Sequence, residues 1–263
     1  MKKIFTSLAP LAFAFFLAVL CISGCKDPSV DKNVLLLEAA RNGNTAQVKK
    51  LIKKGVDVNV LEEANKTNIT RRTALMFASE GGHKEIVSLL LQAKADPDIL
   101  SPSDTALIFA SRNGHKEIVS LLLEAKADPN LTKKFGGETA LVAASQGGHR
   151  DIVSLLLNAG ANPNLEKRFD RDSALVVASQ KGYQEIVSIL LKAGANPNFE
   201  AEAGHTALMA ASWNGHKEII SMLLQAGADP NLSDSESEPA LLIASKNGHD
   251  EIVSILLKAG AKQ

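Results

Sequence analysis

The stretch TALMFASEGGHKEIVSLLLQAKADPD, residues 73–98, decides how this chain folds. Thr73 is an expected N-cap, because its hydroxyl can accept a backbone N–H left unpaired at a helix start. Ala74–Ser79 should continue as a short helix, and Gly82 should end it in a tight turn. A second helix is expected from about His83 to Ala93, with apolar residues at Ile86, Val87, Leu89, Leu90 and Leu91. That stripe is wider than one helix face. Such a helix has to bury itself against neighbours on both sides, which one helical pair cannot supply. Each buried Leu or Ile contributes about 1.5–3 kcal/mol, so stability must accrue between units rather than within one.

The unit returns as TALIFASRNGHKEIVSLLLEAKADPN from Thr105. Further copies begin at Thr139, Ser173, Thr206 and Pro239, with a degenerate first copy from Val34. The starts lie 39, 32, 34, 34, 33 and 33 residues apart. A period near 33 is the ankyrin spacing. The residues agree too: T-A-L-x-x-A-S, then G-H-x-E-I-V-S-L-L-L, then A-G-A-D/N-P-N. The chain therefore resembles the ankyrin-repeat family over residues 34–262. The resemblance implies an all-α solenoid of about seven helix-turn-helix units with short β-hairpin fingers. It also implies a concave face, lined by first helices and fingers, on which family members bind other proteins.

Departures from the family pattern carry their own expectations. Gly160, Gly194, Gly227 and Gly260 stand where the second helix should close in a left-handed residue. Lys94 and Lys126 replace that glycine, so those two ends should be strained. Where the family has T-P-L-H, this chain places Met76, Ile108, Val142, Val176, Met209 or Leu242 in the histidine slot. That removes imidazole bonds which tie family repeats together. Serines recur at Ser79, Ser111, Ser145, Ser179, Ser212 and Ser245 in the first helix. A second ladder runs through Ser88, Ser120, Ser154, Ser188, Ser221 and Ser254. Mid-helix serines usually bond back to a carbonyl one turn earlier, so both ladders read as structural or as traces of duplication.

Chemistry has little room in this pattern. Five of the six histidines fill one slot, at His83, His115, His149, His216 and His249, with Tyr183 in the remaining unit. Packed helices lie about 8–10 Å apart, whereas zinc needs each imidazole nitrogen at about 2.0–2.1 Å. Adjacent rungs are therefore not expected to share an ion. No Ser–His–acid or Cys–His constellation stands outside the repeats, and Gly136-Gly137 lacks the Lys-Ser/Thr of a phosphate loop. The chain is read as non-enzymatic, with no cofactor, metal or small-molecule substrate.

The N-terminus points to a compartment. Lys2-Lys3 precedes an uncharged apolar run from Leu8 to Ile22, a basic segment followed by an apolar core of secretory length. The run is shorter than the roughly 20 residues of a membrane span. Ile22-Ser23-Gly24-Cys25 resembles the bacterial lipobox. The resemblance implies removal of residues 1–24 as a signal peptide and lipidation of Cys25, now the mature N-terminus. Residues 25–33 would form a tether, and Cys21 would leave with the leader. A disulfide between Cys21 and Cys25, a metal site near Asp27 and an ordinary cleaved leader are the alternatives. Two or three acyl chains suffice for stable anchoring. Lys26 as second mature residue favours the outer over the inner membrane, by the sorting rule of diderm bacteria. The location expected is thus a bacterial cell envelope, facing the periplasm or the surface.

Loss of Lys2 and Lys3 with the leader leaves 27 basic and 29 acidic residues. Near-neutrality argues against a nucleic-acid binder, which would carry a basic surplus. A protein partner is expected, with the chain itself a monomer. Helix-end positions vary while the scaffold does not: Arg41, Glu80, Arg112, Gln146, Gln180, Trp213 and Lys246. Trp213 is the only tryptophan, a residue type over-represented among interface hot spots; it either meets a partner or packs over a finger. Lys133, Lys134 and Phe135 lie beside Lys167, Arg168 and Phe169 in consecutive fingers, while later fingers carry Glu200, Glu202, Asp234, Glu236 and Glu238. Such a gradient can steer association, or merely keep loops soluble. The insert Val60–Arg72 lengthens the first finger. Neutralising a toxin, supporting an envelope enzyme and capturing a host protein all fit; a self-assembling structural protein is the alternative.

Overall fold

A computed structural model describes residues 31–63, 71–101, 104–132, 138–165, 173–201 and 204–262. Fourteen α-helices occur among them. They are α1 (Lys32–Arg41), α2 (Thr45–Lys53), α3 (Ala74–Glu80), α4 (Lys84–Gln92), α5 (Ala106–Arg112), α6 (Lys116–Glu124) and α7 (Ala140–Gln146). The series continues with α8 (Arg150–Asn158), α9 (Ala174–Lys181), α10 (Gln184–Lys192), α11 (Ala207–Trp213), α12 (Lys217–Gln225), α13 (Ala240–Lys246) and α14 (Asp250–Lys258). Odd-numbered helices pack on one another in sequence, and even-numbered helices do the same. The result is two parallel layers of seven helices, an all-α repeat solenoid.

Each unit starts as its residues dictate. Thr73 Oγ1 accepts the Met76 N–H at 3.3 Å, and Thr105, Thr139, Ser173 and Thr206 cap their helices in the same way. Pro239 cannot, and α13 has no side-chain cap. The first unit departs from the register. Asp31 is its N-cap, accepting from the Asn33 N–H at 2.9 Å, so α1 reaches back into the stretch assigned to the tether. The second-helix stripe is narrower than expected: Ile86, Val87 and Leu90 are buried, while Leu89 and Leu91 are half-buried. Among the described residues no helix is long and apolar enough to cross a membrane.

Neighbouring units are stitched along two edges. At one, His83, His115, His149, His216 and His249 each place Nε2 3.1–3.3 Å from a carbonyl at the end of the preceding first helix. Those carbonyls have no partner within their own helix, so the Nε2–H tautomer donates. Here lies the imidazole stitching expected to be missing, moved to another slot. Each ring also lies against the preceding unit's turn. A Cβ on Gly114, whose φ is +76°, would come within 2.6 Å of the His149 ring.

At the other edge, the Asx-Pro-Asx turns bridge. Asn130 Oδ1 accepts the Asn162 N–H at 2.7 Å, and its Nδ2 donates to the Gly160 carbonyl at 3.0 Å. Asn164 and Asn198 repeat both bonds with the units that follow them. Asp98 accepts the Asp128 N–H at 2.9 Å, but a carboxylate has no N–H to give. Burial, followed by the charges of Asp128 and Asp96, raises the Asp98 pKa despite that bond. Lys94 and Lys126 do adopt the left-handed conformation, at φ +68° and +69°.

Two expectations need correction. The fingers do not form strands among the described residues. Single bonds close them instead, such as Ala201 N–H to the His205 carbonyl at 2.7 Å, with one isolated bridge between Ser233 and Pro239. The two serine ladders also differ. Ser154, Ser221 and Ser254 bond back one turn, at 3.0–3.2 Å. Ser79, Ser111, Ser145, Ser179 and Ser212 are fully buried, and their hydroxyls have no partner among the described residues. At 0 % exposure these side chains are closed off from solvent.

Candidate protein-interaction surface

The variable helix-end positions fall at one register, at the last turn of α3, α5, α7, α9, α11 and α13. Consecutive first helices in contact place these side chains about 8–10 Å apart per step. Much of their variation is answered within the chain itself. In three units the residue just before the unit pairs with this helix-end slot: Arg72 with Glu80 at 2.5 Å, Asp104 with Arg112 at 3.0 Å, and Glu238 with Lys246. The sign is reversed in the first of these pairs, which is how variation alone comes to resemble partner reading. Arg112 also binds Glu138 at 2.7 Å, joining two finger bases. Burial opposes its charge, but the bond to Glu138 and the two carboxylate charges outweigh that, so its pKa lies above the ordinary arginine value. Arg112 and Lys246 therefore spend their charges inside the molecule.

Gln180 and Trp213 stand differently. Gln180 is exposed, and its backbone carbonyl accepts from His216, which fixes the helix end carrying it. Trp213 is 60 % exposed, and its carbonyl accepts from His249. His205, the residue just before that unit, turns to Asp234 at 3.2 Å. A rigid indole is thus presented to solvent at the centre of Gln180, Trp213 and Lys246. Of the remaining predicted positions, Cys25, Lys133, Lys134, Phe135, Lys167, Arg168 and Phe169 lie outside the described residues, as do 64–70 of the first finger's insert. The base of that finger is closed, by Glu62 N–H to the Arg72 carbonyl at 2.9 Å and an Arg41–Glu62 ion pair at 2.8 Å.

A feature the sequence reading passed over occupies the first three units. Arg41 stacks on Phe77 at 4.1 Å from the ring centroid, and Arg72 sits over Phe109 at 4.4 Å and Phe77 at 5.7 Å. Arg112 closes the series at 5.7 Å from Phe109. Guanidinium and ring planes attract through the ring quadrupole, and both rings are buried beneath them. Later units fill the same slot with Ala143, Val177, Ala210 and Ile243. The first-helix face therefore carries an arginine–phenylalanine stack over its first three units and smaller or aliphatic residues in that slot later, where Trp213 projects.

No group of three or more His, Cys, Asp or Glu capable of holding a metal occurs among the described residues. Each ladder histidine already serves a carbonyl, which accounts for the ladder structurally.

Comparison with known proteins agrees with this architecture. The family profile described as "Ankyrin repeats (3 copies)" matches residues 36–133, 127–201 and 193–263. The mitochondrial disaggregase of Homo sapiens is 43 % identical over 88 residues, 34 % of this chain and 11 % of that protein. Ankyrin repeat domain-containing protein 40 of Mus musculus is 42 % identical over 66 residues, 25 % of this chain and 17 % of that protein. The chain thus spans less than a fifth of either relative's length. Ankyrin repeats are modules of protein–protein interaction, and with the profile matched across 36–263 this chain belongs to the ankyrin-repeat family.

Proposed function

We propose that this chain is a lipid-anchored interaction module of a bacterial envelope, recognising a protein partner through its concave, first-helix face. One observation carries the binding reading: Trp213, a large aromatic residue 60 % exposed on a face where neighbouring Lys246 is already paired with Glu238. An exposed indole loses solvation readily and costs little conformational entropy on binding. The anchor rests on the ISGC stretch ending at Cys25 and on the basic-then-apolar leader before it. Lysine at residue 26 favours the outer over the inner membrane in this reading. Catalysis is no part of the reading, since each candidate side chain already has a structural duty.

The test is capture of a partner from native envelopes by the wild-type chain and by Trp213→Ala with Lys133 and Lys134 reversed to Glu. Unchanged helical content with loss of the captured protein is the expected result; undiminished capture would move the site to the convex face. The anchor is tested separately by incorporation of labelled fatty acid, which Cys25→Ser must abolish.

A second reading, self-association, has its own observation. Leu242 and Leu257 in the last unit are 41 % and 40 % exposed, and they line a groove of about 760 Å³ with Leu241 and Val253. Analytical sedimentation of acyl-free protein separates the two readings: a monomer supports the first, concentration-dependent oligomers the second.

A further inference from the structure

We propose that the second helix of the first unit is a membrane-contact face, on which four lysines meet an anionic lipid surface. Lys49, Lys50, Lys53 and Lys54 lie on α2 and its C-cap, and residues 45–55 contain no acid. All four are exposed, and none takes part in an ion pair among the described residues. At 3.6 residues per turn the four sweep an arc of about 140°, opposite the side on which Val48 and Leu51 are buried. The charges therefore share one outward face.

The repeat does not impose these lysines. The same slots hold Ser88, Leu89, Gln92 and Ala93 in the second unit, and Ser120, Leu121, Glu124 and Ala125 in the third. A terminal unit needs a polar outer side for solubility, but mixed charges would serve that need. A single sign selects for a surface of the opposite sign. The other end of the solenoid carries more acid: Asp250 and Glu251 open α14, where Lys84, Lys116, Arg150 and Lys217 open four of the earlier second helices, and Glu236 and Glu238 lie in the last finger.

Position makes the surface a membrane, a step that rests on the anchor reading above. Asp31, the N-cap of α1, follows Cys25 by six residues, which span at most about 20 Å. An acylated Cys25 would therefore hold the first unit beside the headgroups. Each lysine brought to an anionic bilayer strengthens binding about fivefold (about 1 kcal/mol), and the attraction decays within about 8–10 Å in physiological salt. Contact through α2 would tether the basic end and leave the acidic end standing away from the bilayer.

The test is sedimentation with vesicles of phosphatidylcholine alone, or of phosphatidylcholine and phosphatidylglycerol in equal parts. The protein is the mature chain from position 25 bearing Cys25→Ser, so that no acyl chain contributes. Partition onto the anionic vesicles, weakened by salt, is expected, with none onto the zwitterionic ones. Joint Lys49→Gln, Lys50→Gln, Lys53→Gln and Lys54→Gln should reduce it about a hundredfold or more at unchanged helical content. Arginine at all four positions should retain it. Equal partition onto both vesicle types, or retention by the glutamine variant, would overturn the proposal. Fatty-acid labelling separates the two readings: an unlabelled full chain whose serine form still binds anionic vesicles defeats only the anchor, and a labelled chain without lipid preference defeats only this inference.

Discussion

Ser79, Ser111, Ser145, Ser179 and Ser212 each bury a hydroxyl that meets no acceptor among the described residues. An unmet buried polar group costs about 1–3 kcal/mol. Ser145→Ala, at a fully buried site, should therefore raise stability by about 1 kcal/mol, seen as a higher urea midpoint at unchanged slope. A lower midpoint would show the hydroxyl to be bonded. Lys126, held at φ +69°, is strained by about 1–2 kcal/mol. Lys126→Gly should recover about 1 kcal/mol of that, less the entropy that glycine adds to the unfolded chain. Asp98 offers a pH test. The folded chain holds this proton more tightly than the unfolded chain, so Asp98 favours folding below the ordinary carboxylate range, and that contribution is lost as pH rises through its folded value. Asp98→Asn supplies an N–H where Asn130 uses one, and should stabilise more at pH 7 than at pH 3. Equal gains at both pH values would assign the effect to the new hydrogen bond alone.

At the scale of elements, helix positions were legible because many boundaries are marked locally: a hydroxyl starts five of the first helices, and glycine or lysine takes the left-handed position after the second helices. The function of the ladder histidines was not legible. His149 bonds to a carbonyl 37 residues earlier, and no local pattern announces a contact between units. The Arg41–Phe77–Arg72–Phe109–Arg112 series escaped for the same reason, since its members come from two helix ends, two helix bodies and a finger. The helix-end charges misled in a more useful way. Arg112 and Lys246 differ from Glu80 at the same slot because each is matched by an opposite charge just before its own unit. His149→Ala should cost about 1 kcal/mol. In a repeat array the loss stays near the altered interface. Amide exchange should therefore rise at the end of α5 and the start of α8, and leave α13 and α14 unchanged. Uniform acceleration throughout the chain would mean that the units open together.

At the scale of the whole molecule, the seven-unit stack followed from one repeat whose apolar stripe needs neighbours. In the last described unit Leu242 is exposed in a slot where Met209 is buried. The binding face was half legible. Trp213 stands out in the sequence as it does in space, whereas the basic fingers lie beyond the described residues. Burial of Gln180 and Trp213 by another protein, on one face of a solenoid, is the central claim. It is tested most directly by a photo-crosslinking amino acid at Gln180, or at Asn158 on the opposite layer, in the native envelope. One discrete adduct from position 180 and none from position 158 is the result predicted. Adducts from 158 alone, or equal adducts from both, would contradict it.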